Sequence, residues 1–177
     1  MNSTNFYQDP HYERKLKNPE KCISKQVAIR SSYEREFADW LDLNPTVLQW
    51  FSEDLEIPYL YSLDKRYHRY YIDFWFKYNH ASGKKKEMLV EVKPMNKVLP
   101  PKVPKRKTKS FKESVLEYIK NVDKWKSTLN FVETLRKKGR NIEFVIVTDD
   151  KQQFKPSDNK VNMLNESEIR KVLQLEK

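Results

Sequence analysis

Two short stretches carry side chains that could do chemistry together. One holds Asp73, within Tyr70-Tyr-Ile-Asp-Phe-Trp-Phe76. The other holds Glu91-Val92-Lys93, within Met88-Leu-Val-Glu-Val-Lys-Pro94. Strand side chains alternate faces, so Glu91 and Lys93 point one way and Met88, Val90 and Val92 point the other, into a core. On the same logic Ile72, Phe74 and Phe76 share an apolar face, with Asp73 opposite. Paired, the two strands would present Asp, Glu and Lys at one spot. Mg²⁺ needs only one or two carboxylates beside its waters and a substrate phosphate, and Mn²⁺ can substitute. Such an ion activates water and neutralises the charge that builds up in phosphodiester hydrolysis. Asp73 and Glu91 would be its ligands, and the Val92 carbonyl could join them. Lys93 would orient the attacking water and offset charge on the phosphate.

An E-x-K triplet alone is an ordinary pattern on the wet face of a strand. Asp73 is harder to explain that way, because an aspartate among five aromatics suits a strand poorly and would need a partner if buried. Glu34 is a further candidate, as a completing carboxylate or a ligand of a second ion. Ser31-Ser-Tyr-Glu34 also reads as a capping box, which would return that carboxylate to its own helix start. Asn121 and Lys124 lie on the polar face of a later helix, where they could face the metal site or water, and water is the favoured reading. His68 reads as a packed or hydrogen-bonded residue. With His11 and His80 the only other histidines, no zinc spacing exists.

Positioning these residues falls to an α/β chain with a mixed sheet. Residues 1–28 are polar, with Pro10 and Pro19, and read as an arm that drapes over the domain or stays mobile. Tyr33, Phe37, Trp40 and Leu41 stripe a helix from about Ser32 to Leu43, stopped by Asn44-Pro45. Short strands follow near 46–51 and 55–59, with Pro58 marking an edge. A turn at 62–66 then leads into one long aromatic strand, 67–78. A hairpin at 79–83 returns the strand that carries Glu91, antiparallel, beside Asp73. Pro100, Pro101 and Pro104 hold 95–110 out of regular helix, as a functional or disordered loop. A long helix from about 111 to 138 ends at Gly139, and 142–148 reads as a central strand parallel to a neighbour. Residues 29–150 would form this domain. Residues 151–177 would be an extension with a short helix, capped by Asn165 and Glu168.

The chain of 177 residues carries a net charge of +10. Ten basic residues against two acidic ones give +8 between Lys84 and Lys109. A field of one sign beside the candidate metal site suits a polyanion, with Lys97, Lys102, Lys105, Arg106, Lys107 and Lys109 as DNA contacts. No base-reading motif stands out, so weak sequence preference is expected. Glycine occurs only at 83 and 139, which leaves no phosphate loop and no nucleotide cofactor. A single cysteine, Cys22, fits a reducing cytoplasm, and no apolar run is long enough to cross a membrane.

The ordered set Glu34, Asp73, Glu91-Val92-Lys93 resembles the PD-(D/E)xK superfamily of restriction-endonuclease-like nucleases. One departure is Ile72, where a proline often precedes the aspartate. The resemblance implies a mixed sheet flanked by helices, Asp73 and Glu91 as metal ligands, Lys93 as catalytic lysine and Glu34 as the helix carboxylate. Residues 30–37, 40–45, 57–59, 68–70, 73–75, 91–94 and the basic segment 100–110 together resemble the head-completion nucleases of T-even-type tailed bacteriophages. The pattern from Glu34 to Lys93 is also similar to TnsA-type transposon endonucleases. These resemblances imply a metal-dependent endonuclease that cuts or trims double-stranded DNA before tail attachment. Its partners would be head, portal or neck proteins, in the infected cell's cytoplasm or the virion. The rival reading is a non-catalytic DNA-binding assembly protein on an inactive nuclease fold.

Overall fold

The computed structural model describes residues 12–148 and 163–175. The helix at Ser32–Leu43 (α1) starts at Ser31, whose hydroxyl accepts from the Glu34 amide, and buries Phe37, Ala38, Trp40 and Leu41. Strands follow at Val47–Ser52 (β1), Glu56–Tyr61 (β2), Arg66–Tyr71 (β3), Phe74–Asn79 (β4) and Lys85–Val92 (β5). A short helix, Met95–Val98 (α2), and a long one, Lys109–Lys137 (α3), lead to Ile142–Val147 (β6). Met163–Leu164 (β7) and Glu166–Val172 (α4) complete the described elements. The main sheet is ordered β1-β4-β5-β6-β7, and β2 and β3 form a separate two-stranded ribbon. Among the described strands only β5 and β6 pair in parallel, joined by the crossover through α3.

Both faces of the main sheet are buried. Phe74, Phe76, Met88, Val90 and Val92 pack under α1, with Tyr12, Val27 and Ile29 from the N-terminal segment. That segment therefore drapes over the domain from Tyr12 onward, tied by the Lys17 and Asn18 amides to the Asp42 carboxylate. On the other face Trp75, Leu89, Phe144 and Ile146 meet Trp125, Leu129 and Val132 of α3, Ile169 of α4, and Ile57, Tyr59 and Tyr70 of the ribbon.

Three expectations are corrected. The aromatic strand is not continuous: it breaks at Ile72-Asp73, where the Ile72 amide turns to the Leu55 carbonyl and the Asp73 carbonyl accepts from Glu53. The break flips the alternation, so Ile72 packs on the α3 side while Phe74 and Phe76 pack on the α1 side. Helix also enters both ends of the 95–110 segment. Pro94 sits at the N-cap of α2, where its missing N–H costs nothing, and Thr108 caps α3. The prolines do keep the stretch between those helices irregular. Gly139, at φ +85°, closes α3: its amide bonds the Arg136 carbonyl, and the Arg140 amide bonds that of Leu135. The capping box at Asn165 and Glu168 is present at the start of α4. Residues 149–162 lie outside the described residues.

Candidate active site

The break at Asp73 is what builds the site. β4 and β5 pair Phe74 with Val90, and the residues beyond that pair, Asp73 and Glu91, meet at the end of the ladder. Asp73 Oδ2 accepts the Val92 amide at 2.8 Å. Leaving the strand thus gives Asp73 a backbone donor that a paired residue would have spent on the sheet. Glu91 is 1 % exposed. It lies on the Leu89 face, beneath the ribbon, and its Oε2 accepts the Tyr70 hydroxyl at 2.7 Å. The acidic face is therefore not an open sheet surface: at the carboxyl end of β5 Glu91 is buried, while Asp73 and Lys93 are partly exposed.

Lys93 bridges the two carboxylates, with Nζ 3.0 Å from Glu91 and 3.8 Å from Asp73 Oδ2. Its own amide donates to Val147, which fixes the strand end. Burial disfavours its ammonium, but Glu91 and Asp73 outweigh burial and hold its pKa well above the lysine range. The lysine is thus held in its charged form, an arrangement suited to charge and hydrogen bonding. Burial and the nearby Glu91 charge push Asp73 up to about 8, against the pull of Lys93 and the Val92 amide.

Glu34 lies buried at the start of α1. Burial raises its pKa, while the Arg30 amide, Ser31 and Lys93 pull it down. Its carboxylate accepts the Arg30 amide at 2.7 Å and the Ser31 hydroxyl at 3.0 Å. The reciprocal cap is therefore shifted by one residue from the expected box. Its charge also acts on Asp73 and Lys93, so Glu34 both caps its helix and belongs to the acidic cluster.

The expected water-facing positions of α3 are a second correction at the site. Asn121 is buried, and Lys124 places Nζ 4.7 Å from the centroid of the Tyr70 ring. Helical spacing put both on a polar face, but could not show that the ribbon covers it. The basic candidates divide. Lys102, Lys105, Arg106 and Lys107 are exposed in the irregular stretch. Lys97 on α2 is bound to Glu117 at 2.5 Å, and Lys109 lies 3.9 Å from Glu113. His68 bonds Asp64 at 2.7 Å, away from the carboxylate pair.

Among the described residues no three His, Cys, Asp or Glu side chains form a ready metal cage. The donor set nevertheless fits a hard, water-rich cation. Both Asp73 contacts use Oδ2, leaving Oδ1 without a hydrogen-bond or ion-pair partner among the described residues. Two carboxylates crowded enough to raise a pKa are what a dication would relieve.

A five-stranded mixed sheet flanked by helices, with an acidic pair and a lysine at its centre, is a restriction-endonuclease-like fold. The chain belongs to the TnsA-like endonuclease family, whose N-terminal model matches residues 44–149. It is 35 % identical over 130 residues to the head completion nuclease of enterobacteria phage T4, covering 71 % of this chain and 81 % of that protein. No solved structure is significantly similar. No helix among the described residues is long and apolar enough to cross a membrane.

Proposed function

We propose that this chain is a Mg²⁺-dependent DNA endonuclease, with Mn²⁺ able to substitute, that cuts or trims double-stranded DNA during phage head completion. The observation that carries this reading is Lys93 bridging Asp73 and Glu91 where two strands part. Asp73 and Glu91 would hold the cation, with the Val92 carbonyl as a further donor and Glu34 as the outlying carboxylate. When bound, the ion would supply an activated water and charge neutralisation at the phosphorus. Lys93 keeps its proton and orients that water or a phosphate oxygen. The water oxygen would bond to phosphorus as one phosphorus–oxygen ester bond breaks, and the proton lost by the water would be balanced by one taken up from solvent by the departing oxygen. The Tyr70 hydroxyl fixes the Glu91 carboxylate. Head, portal or neck proteins are the proposed partners, in the infected cell or the particle. The phage relative's name supports the head-completion setting.

The test is conversion of supercoiled plasmid with Mg²⁺ or Mn²⁺, run against Asp73→Ala. Metal-dependent nicking or linearisation by the wild type alone supports the reading. Salt-sensitive DNA binding with no cleavage in either protein supports the non-catalytic rival.

The exposed basic stretch should set affinity, not chemistry. Replacing Lys105, Arg106 and Lys107 together by alanine should weaken DNA binding at every sequence tested. The slope of log K against log salt should fall by up to about 2.7. Lys97→Ala should change it less, because that ammonium is held by Glu117. Fluorescence anisotropy across a salt series reads both.

A further inference from the structure

Lys124 is half-buried on α3 and makes no ion pair with a carboxylate among the described residues. Its ammonium lies over the Tyr70 ring, and the hydroxyl of that same tyrosine holds Glu91. Its charge also acts on Glu91, Lys93 and Asp73. A buried charge needs compensation. Stacking on a tyrosine supplies only part of it. Glu91 and Asp73 supply a further part, but burial, Lys93 and Lys120 oppose it, so the ammonium stays incompletely compensated. Three residues earlier, on the same helical face, Asn121 is buried with its Nδ2 unpartnered among the described residues.

Charge accounting shows what this arrangement would take. With Asp73 pushed up to about 8, the charges of Glu34 and Glu91 balance those of Lys93 and Lys124 at neutral pH. A dication that displaces the Asp73 proton turns that balance into a surplus of one positive charge. Lys124 then loses the acidic field that compensated it, and an anion is needed in its place. We propose that Lys124, with the Asn121 amide beside it, is a phosphate-contacting residue that receives the DNA backbone at the site. This rests on the nuclease reading. Tyr70 is the positioning residue: it holds the ammonium on one ring face and Glu91 at its hydroxyl, so cation and carboxylate stay together without pairing.

Binding to duplex DNA is measured on an Asp73→Asn background, which is not expected to cut, with the divalent cation held constant. Adding Lys124→Met should lower the slope of log K against log salt by about 0.9. Lys124→Arg should leave the slope near the parent's. Asn121→Ala should weaken binding with no change of slope, since a neutral donor releases no counterion. In the otherwise wild-type chain, Lys124→Met should slow single-turnover cleavage about 10²-fold. Lys124→Gln serves as a second variant if the methionine chain melts early. Unchanged slope and unchanged single-turnover rate in a folded Lys124 variant would overturn the inference while leaving the nuclease reading standing. A wild-type chain that neither cuts DNA nor binds it overturns both.

Discussion

Lys93→Met is expected to lower the cleavage rate about 10³-fold, with the fold retained. Methionine keeps most of the lysine stem's volume, so packing against the end of β5 changes little. What disappears is the only cation, among the described residues, within 4 Å of both Asp73 and Glu91. A positioned charge of this kind contributes about 10²–10³ to a rate, and orientation of the attacking water adds to it. Stability should fall on the order of 2 kcal/mol, less than the ~3–5 kcal/mol seen when a fully buried pair loses one partner. The loss is limited because Asp73, pushed up to about 8, already holds a proton at neutral pH, which leaves Glu91 as the main carboxylate charge without its cation. Single-turnover cleavage and thermal melting separate the two effects. A folded Lys93→Met chain cutting at the parent's rate would remove Lys93 from the chemistry.

Much of this site was legible in the sequence because strand alternation is a two-residue rule that survives burial. Glu91 and Lys93 do share a face, and Val90 and Val92 do face the α1 core. The Asp73–Glu91 pairing followed from the hairpin at Gly83. Periodicity could not reveal the break at Asp73. Seven of the twelve residues from Tyr67 to Tyr78 are Phe, Trp or Tyr and they fall on both strand faces, so the pattern does not mark where one strand stops and another begins. The break is a tertiary event, in which Leu55 and Glu53 take the backbone bonds that a neighbouring strand would otherwise take. The favoured water-facing reading of Lys124 failed for a related reason. Its polar face on α3 was correctly read, but the ribbon that covers the face comes from residues more than fifty positions earlier. Lys97 shows the converse limit. Its charge was visible in the basic run, while Glu117, which holds it, sits on the next helix.

Asp73→Asn is expected to abolish cleavage and at the same time stabilise the ion-free protein. Both effects come from one cause. Asp73 is pushed up to about 8 by burial and by the Glu91 charge, against about 3.9 in an unfolded chain. Between those values the folded chain binds a proton that the unfolded chain does not. Stability is therefore fully present below about pH 4 and is lost as pH rises through 8. The amide carries no charge at any pH, so the variant should lose less stability on going from pH 5 to pH 9. The gap at the alkaline end should be on the order of 2 kcal/mol, after allowing for the solvent that reaches Asp73 and for its coupling to Lys93. The Val92 amide can still donate to the side-chain oxygen of the substituted asparagine, so the local backbone keeps its anchor. Catalysis should fall 10³-fold or more, because an amide oxygen is a poorer ligand for a hard dication and relieves none of its charge. Thermal melts in EDTA from pH 5 to 9, with plasmid cleavage alongside, test the pairing of these effects. A variant that is less stable than the parent at pH 9, yet still cuts, would show that the crowding of Asp73 and Glu91 is neither strained nor functional. The expected result shows the reverse. The fold then gives up stability at this point to keep two carboxylates together, a trade found where a site must bind a cation it does not carry while folding.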